Sequence, residues 1–146
     1  MKTQSGRAAQ GFALEEVVLA MAIAALCLSG IVAGYRLSLQ RSEWSALSLA
    51  AQAAAQARME QTRSTKWDPL AYPPVDQIVE TNFPVITRAL DSPVLGTNVT
   101  TATVRTSISL LSTDPRLKNI QVECRWFARD RGPFTNTLTT WRSPDQ

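Results

Sequence analysis

From Val17 to Tyr35 the chain carries no charge for 19 residues. As a helix rising about 1.5 Å per residue, that run is roughly 28 Å long, close to the ~30 Å hydrocarbon core of a bilayer. The helical pattern does not stop there. The stretch RLSLQRSEWSALSLAAQAAAQARMEQTRS, from Arg36 to Ser64, contains no Pro or Gly and is rich in Ala, Leu, Gln, Arg and Glu, all good helix formers. Trp44, Leu47, Ala51, Ala54, Ala55 and Met59 recur at helical spacing and form one face, with Arg41, Gln52, Gln56 and Glu60 turned away from it. The pattern predicts one helix over residues 12–63, roughly 75 Å long. Its first half, 12–35, is bare and apolar, and its second, 36–63, is amphipathic.

Residues 64–98 have a different texture. Pro69, Pro73, Pro74, Pro84 and Pro93 interrupt them, so a helix is not expected. Trp67 and Tyr72 are candidates to pin this loop to the helix. VITRAL, Val85 to Leu90, reads as a short first strand. Alternation then becomes clear over 99–146. Ala102, Val104, Ile108 and Leu110 fall on one face of TATVRTSISL, and Thr103, Arg105, Ser107 and Ser109 on the other. Ile120, Val122, Cys124 and Trp126 alternate with Asn119, Gln121, Glu123 and Arg125. Phe134 and Leu138 share a face opposite Thr135, Thr137, Thr139 and Trp141. Period two in β-branched and aromatic residues predicts half-buried strands, with STDPRLK and ARDRGP as turns between them.

The expected fold is therefore α+β, a long N-terminal α-helix packed on a small antiparallel β-sheet. The sheet is a meander of three or four strands with one apolar face. The Trp44–Met59 helix face is the only cover of sufficient length. On this reading the aromatic residues belong to the core rather than to a ligand platform. Charge gathers in the turn segments between residues 114 and 131; such clusters are generally solvated, and an exposed contact loop is the alternative.

Composition narrows the chemistry. The chain has 146 residues and a net charge of +3, enough for one globular domain beside the apolar run. Its arginines are scattered, with no basic stripe, so no nucleic-acid partner is expected. It has no histidine, which removes the commonest general base and metal ligand. It also lacks a P-loop, a G-x-S-x-G and any metal-ligand cluster. No catalytic residue, metal or cofactor is therefore assigned, and an enzyme is not expected. Cys27 lies in the apolar run and Cys124 in the polar region, so both read as small apolar residues rather than a disulfide pair.

Glu15 and Glu16 stand beside the apolar run, where acids are costly in lipid. A cleaved secretory signal has a shorter apolar core, and a plain stop-transfer anchor leaves the acids unexplained. Lys2 and Arg7 before the run balance Arg36 and Arg41 after it, so charge alone does not set orientation. Gly30 and Gly34 make a G-x-x-x-G spacing that permits close helix approach, or are simply small residues of a membrane helix.

The sequence Gly11-Phe12-Ala13-Leu14-Glu15-Glu16-Val17 resembles the prepilin peptidase site of type IV pilins and type II secretion pseudopilins. The family pattern is Gly, Phe, Thr, Leu, any residue, Glu and a long apolar helix; Ala13 stands here where Thr is usual. The resemblance implies that residues 1–11 are a leader, cut after Gly11. Phe12 would be the new, N-methylated terminus. Glu16 would be the acid that faces the terminal amine of a neighbouring subunit, whereas Glu15 occupies a variable position. The implied partners are a prepilin peptidase/N-methyltransferase, other pilins or pseudopilins met through the N-terminal helix, and the inner membrane. The C-terminal domain would lie in the periplasm, and the subunit would then enter a pilus or pseudopilus. The ending IQVECRWFARDRGPFTNTLTTWR resembles the strand–turn–strand close of V-type minor pilins and I-type minor pseudopilins. A minor subunit at or near a filament tip is the expected function. The alternative is an uncleaved, single-pass membrane-anchored binding domain of the envelope.

Overall fold

The long run of helix formers without Pro makes a single helix, α1, over Leu14–Arg63. The remaining elements of this computed structural model are β1 (Trp67–Asp68), β2 (Val75–Asp76), a single 3-10 turn (Glu80–Asn82), β3 (Ile86–Ala89), β4 (Thr101–Thr113), β5 (Arg116–Ala128) and β6 (Arg131–Arg142). Residues 14–92, 99–128 and 131–145 are described. The chain divides into two units, Met1–Ser42 and Glu43–Gln146.

In the second unit, β3 to β6 form an antiparallel sheet in chain order. Val104 lies opposite Cys124, and Cys124 opposite Asn136, so the even-numbered residues of all three long strands share one face. Ala102, Val104, Ile120, Val122, Cys124 and Trp126 on that face are buried. The helix covers it with Leu47, Ala51, Ala55 and Met59, which belong to the same core. Ala51 and Ala55 are fully buried; a residue without a side chain beyond Cβ lets the helix backbone approach the sheet closely. The expected α+β architecture is thus present, with a four-stranded meander and VITRAL supplying β3.

Three details depart from the expected pattern. Trp67 is buried in the core, but Tyr72 is fully exposed and pins nothing. The Asp68 carboxylate accepts the N–H groups of Leu70 and Ala71, which closes a turn between β1 and β2 and leaves Leu70 and Tyr72 in solvent. Leu110 is 57% exposed rather than buried. The β4–β5 register shifts between Leu110 and Ser112, and β3 pairs with β4 only from Thr101 to Val104, so the sheet is bulged and narrower at Leu110. Trp44 is also partly exposed, although its ring sits 6.4 Å from Trp126 and 6.0 Å from Phe134.

Polar residues complete the core at positions where hydrophobic periodicity is silent. Arg58 and Thr62 flank Met59 on the buried helix face. Arg58 donates from Nε to Thr106 Oγ1 at 3.2 Å and from its terminal nitrogens to Gln61 Oε1 at 3.0 Å and to the Pro84 carbonyl at 2.6 Å. Its guanidinium also lies over the Phe83 ring, 5.3 Å from the centroid. Burial, together with the charge of Arg88, lowers its pKa. Lys118 is buried too, and donates to both Asp76 carboxylate oxygens, at 2.7 and 2.6 Å, and to the Ile78 carbonyl at 2.7 Å. Its ammonium sits 4.9 Å from the centroid of the Trp67 ring. These two cations fasten the Pro-rich segment to the sheet and helix, a task the sequence suggested for aromatic residues alone.

The C-terminal segment is held by Asp145. Its carboxylate accepts the Trp67 N–H at 2.8 Å and a hydrogen bond from Arg142 at 2.7 Å, while Arg142 also donates to the Thr62 carbonyl at 2.9 Å. The Trp67 N–H, then Arg142, lower the Asp145 pKa. A folded-state pKa below the unfolded one contributes stability that is present above the ordinary aspartate range. That stability is lost as pH falls through the folded value. Asp145→Asn should therefore lower the urea midpoint at neutral pH. The difference from wild type should shrink steadily as the solution is taken to acid, and urea titrations at a series of pH values measure it.

Candidate functional site

The first turn of α1 carries Glu15 and Glu16. Carboxylates are favoured there, because the first N–H groups of a helix lack intrahelical acceptors and the dipole places partial positive charge at that end. Every described residue from Leu14 to Ser42 is exposed. Large apolar side chains such as Leu19, Met21, Leu26, Leu28 and Ile31 are each more than half open. The unit therefore presents apolar surface on all sides of its helix, which is the pattern of a helix surrounded by lipid or by other helices. By length and composition it is able to cross a membrane, and no part of its apolar window is buried by the chain itself.

Glu16 is exposed at the head of this surface. Gly11 and Phe12, the expected processing residues, lie outside the described residues. Gly30 and Gly34 fall within the uninterrupted helix. A Cβ built at either position would meet nothing within 4 Å. Room for a neighbouring helix exists at both, and the chain itself does not fill it. Ser29 is satisfied locally, its hydroxyl donating to the Leu26 carbonyl at 2.8 Å. Cys27 is exposed on the helix, Cys124 is buried in the sheet, and both are free thiols. Burial raises the Cys124 pKa, which keeps it a protonated, unreactive core residue.

The buried polar residues of the second unit, Arg58, Thr62, Thr106 and Lys118, are bonded within its own fold. Among the described residues no group of three or more His, Cys, Asp or Glu is placed to hold a metal. Its buried cations, Arg58 and Lys118, are engaged by acceptors of the fold itself. Asn136, on the helix-covered face, accepts from Trp126 Nε1 at 2.9 Å and donates to the Ser48 carbonyl and Gln52 Oε1, each at 3.4 Å. Sequence periodicity missed Thr106, Lys118 and Asn136 because each is a polar residue at an inward position. The signal that finds them is parity: all three are even-numbered like their buried neighbours.

The described residues thus present an unburied apolar helix, a carboxylate pair at its head and a small domain closed on its own core. No protein-family model matches the chain, and no curated protein or solved structure matches it.

Proposed function

We propose that the chain is a minor pilin or pseudopilin, a structural subunit whose leader is removed after Gly11 and which joins a filament, at or near its tip, through its N-terminal helix. The observation that carries this reading is Glu16 at the head of an apolar helix none of whose first 29 described residues is buried by its own chain. Apolar surface of that extent needs lipid before assembly and other helices after it.

The proposed sequence of events follows from the residues. Prepilin peptidase hydrolyses the bond between Gly11 and Phe12, releasing the basic leader and freeing the Phe12 amine, which the same enzyme methylates. The helix stays in the inner membrane with the second unit in the periplasm. A neighbouring subunit then docks alongside. Its terminal amine meets the Glu16 carboxylate where water is scarce, and the pair fixes the axial register because an unmatched partner there is expensive. Gly30 and Gly34 let the helices come close. The second unit contributes a distinct surface to the filament end and carries out no chemical step.

Gly11→Ala tests the proposal in the native host. The variant should retain its leader and disappear from the sheared filament fraction while remaining in the membrane. If the variant enters filaments as wild type does, or if wild-type chain is confined to membranes, the chain is an uncleaved envelope anchor instead.

A further inference from the structure

The outer face of the sheet carries a large aromatic side chain that the core does not use. Trp141 lies on the face turned away from the helix and is 68% exposed. Its register partner on β5 is Asn119, which in turn lies opposite Ser109 on β4. The next row of the same face is Ser107, Gln121 and Thr139. Neighbouring strands are about 4.8 Å apart and same-face residues about 6.7 Å apart along a strand, so the two rows make a platform roughly 10 Å across. Neither row holds a charged residue. Charge begins one row further on, where Glu123 lies opposite Arg105, and the half-buried Leu117 borders Asn119 on the other side.

Two of the polar side chains are poised rather than merely solvated. Glu123 accepts from Gln121 Nε2 at 2.8 Å, which fixes the Gln121 amide on the platform. Asn119 Oδ1 is enclosed and has no hydrogen-bond partner among the described residues. A buried acceptor without a donor is uncommon in a folded chain and calls for a partner from outside. The chemistry of the rows selects that partner. An apolar protein surface would cover the indole but strand the hydroxyls and amides beside it. An ionic group finds no opposite charge in either row. A chain of neutral sugar rings meets both demands: the C–H face of a ring packs on the indole, and hydroxyl groups both donate to and accept from Ser, Thr, Asn and Gln. The last torsion of an Asn side chain is broad and two-fold, so a turn of the Asn119 amide presents Oδ1 to such a hydroxyl.

We propose that the row Ser109–Asn119–Trp141, with Ser107, Gln121 and Thr139 beside it, is a binding platform for an uncharged polysaccharide. The exposed indole stacks on one sugar ring, and a sugar hydroxyl supplies the donor that Asn119 Oδ1 lacks. The platform lies wholly within the second unit, so it holds for a filament subunit and for an uncleaved anchor alike.

The test uses the full chain in a zwitterionic detergent, because a detergent with a sugar head group would compete for the platform. Cellohexaose, maltohexaose and chitohexaose are titrated in turn and binding is read by calorimetry. At least one of them should bind saturably. Trp141→Ala should weaken that binding by roughly ten-fold or more, as removal of a central aromatic contact does. Asn119→Ala should weaken it several-fold. Arg105→Gln, on the same face but outside the two rows, should bind as wild type does. No saturable binding of any of the three sugars, or binding that Trp141→Ala leaves unchanged, overturns the platform. So does a particle mass that doubles without sugar and returns to one chain in Trp141→Ala, measured by sedimentation, because the occupant is then a second copy. None of these results bears on whether the leader is cleaved after Gly11, so the platform and the filament reading fail separately.

Discussion

Trp126→Ala is expected to cost the second unit about 3–5 kcal/mol, the usual range for deleting a large aromatic side chain from a core. Trp126 is 1% exposed. Its ring lies 4.9 Å from Phe134 and 6.4 Å from Trp44, so the truncation opens a void bordered by two aromatic groups that cannot both move in to fill it. The loss of its Nε1 donor also takes from the half-buried Asn136 the partner held at 2.9 Å, which adds to the loss. Small domains are stable by about 5–15 kcal/mol in all, so the variant should sit near the limit of folding. Urea titration in detergent, followed by the fluorescence of the other tryptophans, measures the shift. Trp141→Ala is the control. Trp141 lies on the opposite face and is 68% exposed, and its replacement should change stability by no more than about 0.5 kcal/mol.

The second large effect is expected at Glu16. Glu16→Ala should leave synthesis, membrane insertion and the fold of the second unit intact. Removing a carboxylate from the edge of an apolar run lowers the cost of placing that run in lipid, and Glu16 is exposed in the isolated chain. Incorporation into filaments should nevertheless fall by two orders of magnitude or more. A buried charge left without its partner costs about 3–5 kcal/mol, and about 1.4 kcal/mol is a factor of ten. In the proposed assembly the charge left stranded is the neighbour's terminal amine. Glu16→Gln keeps the shape and an acceptor but not the charge, and should recover only part of the loss. Glu15→Ala should be close to wild type, because the proposal gives Glu15 no amine to face. Quantitative immunoblotting of membrane and sheared-filament fractions reads all three. A Glu15 variant as defective as the Glu16 variant would move the assembly role to the acid pair as a whole.

Much of the fold was legible because two periods are written plainly in the chain. The helix shows as an unbroken set of good formers from Arg36 to Ser64, and its covering face at Leu47, Ala51, Ala55 and Met59 follows the 3.6-residue repeat. The inward faces of β5 and β6 follow strict alternation. The misses have a common cause. Hydrophobicity assigns a residue inward only if it is apolar, yet Arg58, Thr106 and Lys118 are inward because specific acceptors or donors wait for them across the core. Such pairings join positions 48 and 40 residues apart, and no local pattern announces them. Leu110 failed in the opposite sense. Its alternation is intact, but a register shift and a short β3 leave that corner of the sheet without cover. Tyr72 failed because local turn chemistry at Asp68, rather than apolarity, decided where the segment points.

The candidate assembly site divides in the same way. Its apolar helix and its acids are local features, and Glu16 stands in the first turn of α1. In the proposed assembly Glu16 and the two glycines meet groups of other chains; in the chain itself a Cβ at Gly30 or Gly34 would meet nothing within 4 Å.

The intact mass of the chain, extracted from native membranes and filaments, decides whether the leader is removed. The expected polypeptide begins at Phe12, lacks residues 1–11 and carries one added methyl group on its terminal nitrogen. A mass that still includes the segment from Met1 to Gly11 would contradict it.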